Sequence, residues 1–136
     1  MSYRVYVDTN VFLDSYLKRE NGFADKVFSF LEEREIEIYL NDISIINIAY
    51  ILKKEFLQEE IKEKISFITK QYSVVCASSK IIVDANSSEF KDFEDGVQYF
   101  CAKEISADLI ISNNKKDFKM SEVDVLTPKE FCLIYM

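Results

Sequence analysis

Tyr3-Arg4-Val5-Tyr6-Val7-Asp8-Thr9-Asn10-Val11-Phe12-Leu13-Asp14 opens the chain and decides its fold class. A short apolar strand delivers a carboxylate, Asp8, at its carboxyl end and turns at once into a helix. Open α/β sheets place their chemistry at that edge. Asp8 has a second reading, as a helix cap that accepts backbone N–H groups.

Outward from this unit, apolar alternation and β-branched residues predict five strands: Tyr3–Val7, Ile36–Leu40, Ser73–Cys76, Asp108–Ile111 and Val123–Leu126. Helical periodicity fills nearly everything between them. The first helix runs from about Asn10 to Lys18. A second follows Gly22, places Phe23, Val27, Phe30 and Leu31 on one stripe and ends in the charged turn Glu32-Glu33-Arg34-Glu35. A third, capped by Asn41 or Asp42, reaches about Phe56, with Ile45, Ile46, Ala49, Leu52 and Phe56 as its expected buried face. A fourth spans about Gln58 to Thr69; its stripe Ile61, Ile65 and Ile68 reads as core. Ser78 or Ser79 caps a fifth, carrying Ile81, Ile82 and Ala85. A sixth runs from about Asp92 to Ile105 and buries Val97, Phe100, Cys101 and Ile105, and Pro128 starts the last. Strands alternating with helices, and few hairpin turns, imply one α/β domain over residues 1–136: a three-layer α/β/α sandwich around a mainly parallel five-stranded sheet.

Composition narrows the function. With 49% hydrophobic residues, 136 residues suffice for one sizeable core. The apolar run Ile43 to Leu52 is interrupted by Ser44 and Asn47 and is shorter than the roughly 20 residues of a membrane span, so no membrane partner is expected. Arg4 and Asp8 break any secretory signal. Cys76, Cys101 and Cys132 lie far apart in apolar surroundings and read as core residues in a reducing cytoplasm. The chain has no histidine, which excludes Ser-His-Asp triads, Cys-His pairs and His-ligated metals. A net charge of −7 argues against a general nucleic-acid coat, although a metal-filled acidic cleft presents a different face to phosphate than an empty one.

At the sheet edge that Asp8 marks, the topology gathers Asn47, Asp92, Asp95 and Asp117. Three or more carboxylates in one place raise one another's pKa unless a cation neutralises them, and Mg²⁺ or Mn²⁺ suits an all-oxygen site. That equipment fits phosphodiester hydrolysis. Each residue also has a plainer reading. Asp92-x-x-Asp95 alone is most simply an N-cap. Asp14 reads as solvated, and Asp117, after Asn113-Asn114-Lys115-Lys116, as part of a turn. Asn47, a poor helix-interior residue inside an apolar run, faces something polar; Tyr50 is its neighbour or a half-buried core aromatic. Phe90, Phe93, Tyr99 and Phe100 read as core rather than a base-stacking platform.

Four segments in order, Val7–Asp14, Ser44–Leu52, Asp92–Tyr99 and Ile111–Phe118, with the final Leu126-Thr127-Pro128-Lys129-Glu130-Phe131, resemble the signature of the PIN domain along the whole chain. The resemblance implies sheet order 3-2-1-4-5 and metal-dependent ribonuclease activity. It also implies kinship with small VapC-type toxins, which a cognate antitoxin holds inactive. Carried over by position, Asp8, Asp95 and Asp117 bind one Mg²⁺ or Mn²⁺, with Asp92 as an auxiliary carboxylate. Thr9, Asn10 and Ser112 orient the acidic group and bind substrate phosphate or water. The family's second acidic position falls on Asn47, as in a subgroup of bacterial PIN proteins, and Asn114 stands where many relatives carry Asp. Lys115 and Lys116 either steer the RNA backbone or form a solvated pair. The implied function is an RNA-cleaving toxin with an antitoxin partner and a possible homodimer. The alternative is a degenerate PIN-like module that binds RNA or protein without cleaving. A receiver-like domain fits poorly, because the central strand ends in Cys76-Ala77-Ser78 rather than an acceptor Asp. A haloacid-dehalogenase-type phosphatase would need Asp at residue 10, which is Asn.

Overall fold

The computed structural model describes residues 3–136. The strands are β1 (Arg4–Val7), β2 (Glu37–Asn41), β3 (Ser73–Val75), β4 (Leu109–Ile111) and β5 (Asp124–Leu126). Between and after them lie α1 (Thr9–Tyr16), α2 (Phe23–Glu33), α3 (Asp42–Leu52), α4 (Gln58–Gln71), α5 (Ser79–Ser87), α6 (Phe93–Glu104) and α7 (Pro128–Tyr135). All four strand pairs are parallel, in the order β3-β2-β1-β4-β5. The chain winds outward from β1 to β3, then crosses back to β4 and β5. Strand order therefore reverses between β1 and β4, the switch point at which such sheets open a crevice.

Alternation along β1 sorts the core. Val5 and Val7 join a cluster with Phe12, Val27, Leu31, Ile48, Leu52, Ile61, Ile68 and Phe131, so α1 to α4 and α7 cover one face. Tyr6 points the other way, into a smaller cluster with Ile81, Ala85, Val97, Cys101 and Ile110, under α5 and α6. α5 and α6 approach closely because residue 96 is glycine: a Cβ there would stand 3.3 Å from the Ala85 Cβ.

Local chemistry sets the helix starts. Asn41 accepts the Ser44 N–H and Ser78 the Ile81 N–H. Thr127 and Glu130 form a reciprocal capping box ahead of Pro128. Three expectations are corrected. α3 ends at Leu52, and its buried residues are Ser44, Ile48 and Leu52, whereas Ile46 is 69% exposed. The helix is apolar on almost every side, so its period alone does not select the inward face. Cys76 is exposed because it follows the short edge strand β3, while Cys101 is buried. In α6, Tyr99 is buried with Val97 and Cys101, and Phe100 and Ile105 are only partly covered.

Ile48 is fully buried between α3 and the sheet. Ile48→Ala is expected to lower unfolding free energy by about 2–5 kcal/mol, read as a fall in denaturant midpoint at unchanged slope.

Candidate active site

β1 ends at Val7, and the next residue, Asp8, stands at the switch point with its backbone N–H bonded to the Ile111 carbonyl of β4 at 2.9 Å. Asp8 is the N-cap residue of α1, yet its side chain makes no capping bond there, so its carboxylate is free for other work. Ser112, which follows β4, donates its hydroxyl to Asp8 Oδ2 at 2.7 Å. The Ser112 Oγ in turn accepts the Asn114 N–H at 3.0 Å, which leaves its one proton for Asp8. Asn10 Nδ2 lies 3.4 Å from the same carboxylate oxygen, and its Oδ1 accepts the Asn113 N–H. The loop after β4 is thus stitched to the start of α1.

Across a cleft of about 410 Å³ stands Asp95, in the first turn of α6. Asp92 caps that helix by accepting the Asp95 N–H at 3.1 Å, as its plainer reading holds. The cleft is lined by Asp8, Thr9, Asn10 and Leu13, by Asn47, Tyr50 and Ile51 of α3, and by Glu94, Asp95 and Asn114. Asn47 is half-buried, with its side chain on the wall of this cleft.

Charge at this site is uncompensated. Burial lifts the Asp8 carboxyl to about 6, opposed by the Ser112 hydroxyl and reinforced by Glu94 and Asp92. Asp95 rises to about 7, through burial first and then the charges of Asp8, Asp92, Asp117 and Glu94. Among the described residues, no ion pair reaches any of these five acids.

Asp92 and Asp117 line an adjoining cleft of about 510 Å³ with Lys91, Lys116 and Lys119. Asp117 is exposed on a 3₁₀ turn, Lys115–Phe118, and acts on Asp95 through its field. Among the described residues no three acidic side chains stand together closely enough to hold an ion as placed. The structure thus brings Asp8, Asp95, Asn47 and Asn114 to one cleft and sets Asp92 and Asp117 beside it.

Several residues differ from their sequence reading. The Thr9 hydroxyl is committed to Ser44 at 2.6 Å and Gln98 at 3.0 Å. Lys115 is paired with Glu130 at 3.1 Å, whereas Lys116 lines the adjoining cleft. Asp14 is buried rather than solvated, taking a hydrogen bond from Asn113 and an ion pair from Arg19 at 3.2 Å. Sequence reasoning passed over Glu94 and Gln98. Glu94 was signalled by its place between two acids in one helical turn, and Gln98 by being a polar residue within the apolar stripe of α6.

The PIN-domain family model matches residues 4–116, which span β1 and the Asp8 that follows it, the helix carrying Asp95 and the start of the loop after β4. The chain belongs to the PIN-domain family. This PIN domain is 29% identical over 138 residues to Ribonuclease VapC1 of Aquifex aeolicus, a match covering 96% of the chain and 94% of the relative. Its fold is shared with VapBC-1 from nontypeable Haemophilus influenzae, with TM-score 0.70, 16% identity, and 93% of this chain and 98% of that one covered. It is shared also with a toxin-antitoxin complex from Klebsiella pneumoniae, with TM-score 0.69, 20% identity and coverage of 91% and 97%.

Proposed function

We propose that this PIN domain is a cytoplasmic, Mg²⁺- or Mn²⁺-dependent endoribonuclease and the toxin of a toxin–antitoxin pair. The observation that carries the reading is the pair Asp8 and Asp95 facing one cleft at the switch point, both raised in pKa and without a basic partner among the described residues. The ribonuclease named among its relatives supports the substrate class. The donor set fits a hard divalent ion, since the polar cleft side chains Asp8, Asn10, Asn47, Glu94, Asp95 and Asn114 all offer oxygens. Asp8 and Asp95 would hold it, with Asn47 as a neutral oxygen ligand and Asp117 and Asp92 drawn in from the neighbouring cleft. Such an ion supplies a positive charge that acidifies water and offsets the charge growing on phosphorus.

The chain's own groups do the rest. Ser112 and Asn10 hold the Asp8 carboxylate in one orientation. The amino ends of α1 and α6 offer backbone N–H groups to substrate phosphate. Lys116 lies beside the site for the RNA backbone. Hydrolysis adds water across one P–O bond, and with no histidine in the chain the proton released passes to a carboxylate of the cluster or to the substrate.

An antitoxin protein is the proposed partner, in line with the toxin-antitoxin complexes that share the fold. A homodimer is also proposed, since α3 leaves Ile43, Ile46 and Tyr50 exposed as an apolar outer face. No helix of the described residues is long and apolar enough to cross a membrane.

The second reading, a binding module that has lost catalysis, rests on Asn47. Titrating Mn²⁺ into the protein separates the two. The nuclease reading expects a measurable affinity that tightens roughly tenfold in Asn47→Glu, where a charge joins the ligand set. An absence of Mn²⁺ binding in both proteins would leave only the binding module.

A further inference from the structure

Beneath the cleft lies a closed ring of polar side chains centred on Gln98, which is 2% exposed on α6. Its Nε2 donates to Thr9 Oγ1 at 3.0 Å and to Ser44 Oγ at 3.1 Å. Its Oε1 accepts from the Tyr6 hydroxyl at 2.6 Å and from Asn41 Nδ2 at 3.5 Å. The ring closes on itself: Thr9 and Ser44 hydroxyls meet at 2.6 Å, Asn41 Nδ2 donates to the Tyr6 hydroxyl at 2.9 Å, and Asn41 Oδ1 caps α3 at the Ser44 N–H. No buried side-chain polar atom is left unpaired among the described residues. One amide thereby ties together β1, the start of α1, β2, α3 and α6.

The placement of those partners matters more than their number. Thr9 is the neighbour of Asp8. Ser44 lies three residues before Asn47 on α3, and Gln98 three residues after Asp95 on α6, so each is one helical turn below a cleft residue. We propose that Gln98 is a positioning residue whose amide fixes the spacing of Asp8, Asn47 and Asp95 by bonding the turn beneath each. Its four hydrogen bonds use both donors and both acceptor directions of the amide, so neither an apolar nor a charged side chain of the same length reproduces them. A fully satisfied buried network specifies one arrangement, and a partly satisfied one loosens all its members. The aromatic and β-branched core around it, including Val97, holds α6 on the sheet without touching the cleft.

This inference rests on the metal-dependent nuclease reading, and the test separates the two. Gln98→Met, Ser44→Ala and the core control Val97→Ala are compared with the wild type by circular dichroism, by Mn²⁺ affinity from electron paramagnetic resonance, and by steady-state RNA cleavage. Gln98→Met is expected to keep its secondary structure, to bind Mn²⁺ at least about tenfold more weakly, and to lose kcat with KM for RNA unchanged. Ser44→Ala, a smaller change that removes one partner, should move the same quantities in the same direction and serves if Gln98→Met does not fold. Val97→Ala should lower the melting temperature while leaving Mn²⁺ affinity and kcat at wild-type values. Wild-type Mn²⁺ affinity and kcat in folded Gln98→Met, or equal losses in Val97→Ala, would overturn the positioning role. A wild-type protein that binds Mn²⁺ but cleaves no RNA would overturn the nuclease reading alone, because the variants' Mn²⁺ affinities still decide the role of Gln98. A wild-type protein that binds no Mn²⁺ overturns both.

Discussion

Asp95→Asn is expected to abolish RNA cleavage, with kcat down by about three orders of magnitude or more, while the folded protein becomes more stable at pH 8 without metal. The two halves share one cause. Asp95 sits in a field made by Asp8, Asp92, Asp117 and Glu94, which together with burial raises its pKa to about 7. At pH 8 its ionised form is repelled by four neighbours with no basic partner among the described residues to offset them. An amide of the same shape removes that repulsion, so the melting temperature of the metal-free variant should rise. The same amide cannot offer a charged oxygen to an ion, and transition-state stabilisation by a positioned cation is the largest single contribution such a site makes. Because Asp92 caps α6 through the backbone of residue 95 rather than its side chain, the substitution leaves the helix start intact. Unchanged cleavage by a folded Asp95→Asn protein would remove Asp95 from the site.

The second large effect is a reversal of the pH dependence of stability by metal. Asp8 and Asp95 have folded-state values of about 6 and about 7, above the ordinary carboxylate range near 4. Between about pH 4 and pH 7 the folded protein therefore holds protons that the unfolded chain has released. Stability contributed by these groups is present at low pH and is lost as pH rises through the two folded values. For fully buried Asp8 this amounts to about 3 kcal/mol across the window. A divalent ion binds only the deprotonated carboxylates, so its stabilisation runs the other way and is largest at high pH. Melting curves at pH 5 and pH 8, with EDTA or 1 mM Mn²⁺ as an example dose of roughly this order, should show a metal-dependent rise at pH 8 that is small or absent at pH 5. A rise of equal size at both values would mean that the ion binds elsewhere.

Much of this was legible in the sequence, and the parts that were not share a physical reason. The strands follow from apolar runs separated by amphipathic helices, their order from the resemblance to the PIN domain, and the helix starts at Ser78, Asp92 and Pro128 are set by residues within a turn of them. Such signals are local, and local signals survive in a one-dimensional reading. Asp8, Asn47 and Asp95 could be placed at one edge because parallel topology brings strand ends and helix starts together. The inward face of α3 was not legible, since Ile43, Ile45, Ile46, Ile48 and Ile51 offer apolar side chains in nearly every direction and only the packed sheet selects Ile48. The pairing of Lys115 with Glu130 and the Gln98 ring were hidden for a different reason. Their partners lie 15 to 92 residues away, and the longer of these contacts exist only once the sheet has formed.

The central claim is that Asp8 and Asp95 frame a divalent-metal nuclease centre, and the most direct test is cleavage by the purified wild-type chain. A mixed pool of labelled structured and single-stranded RNAs would be incubated with the protein in Mn²⁺, in Mg²⁺ and in EDTA. The account predicts cleavage with either ion and none in EDTA. Intact RNA under every condition, with a folded protein free of any bound antitoxin, would contradict it.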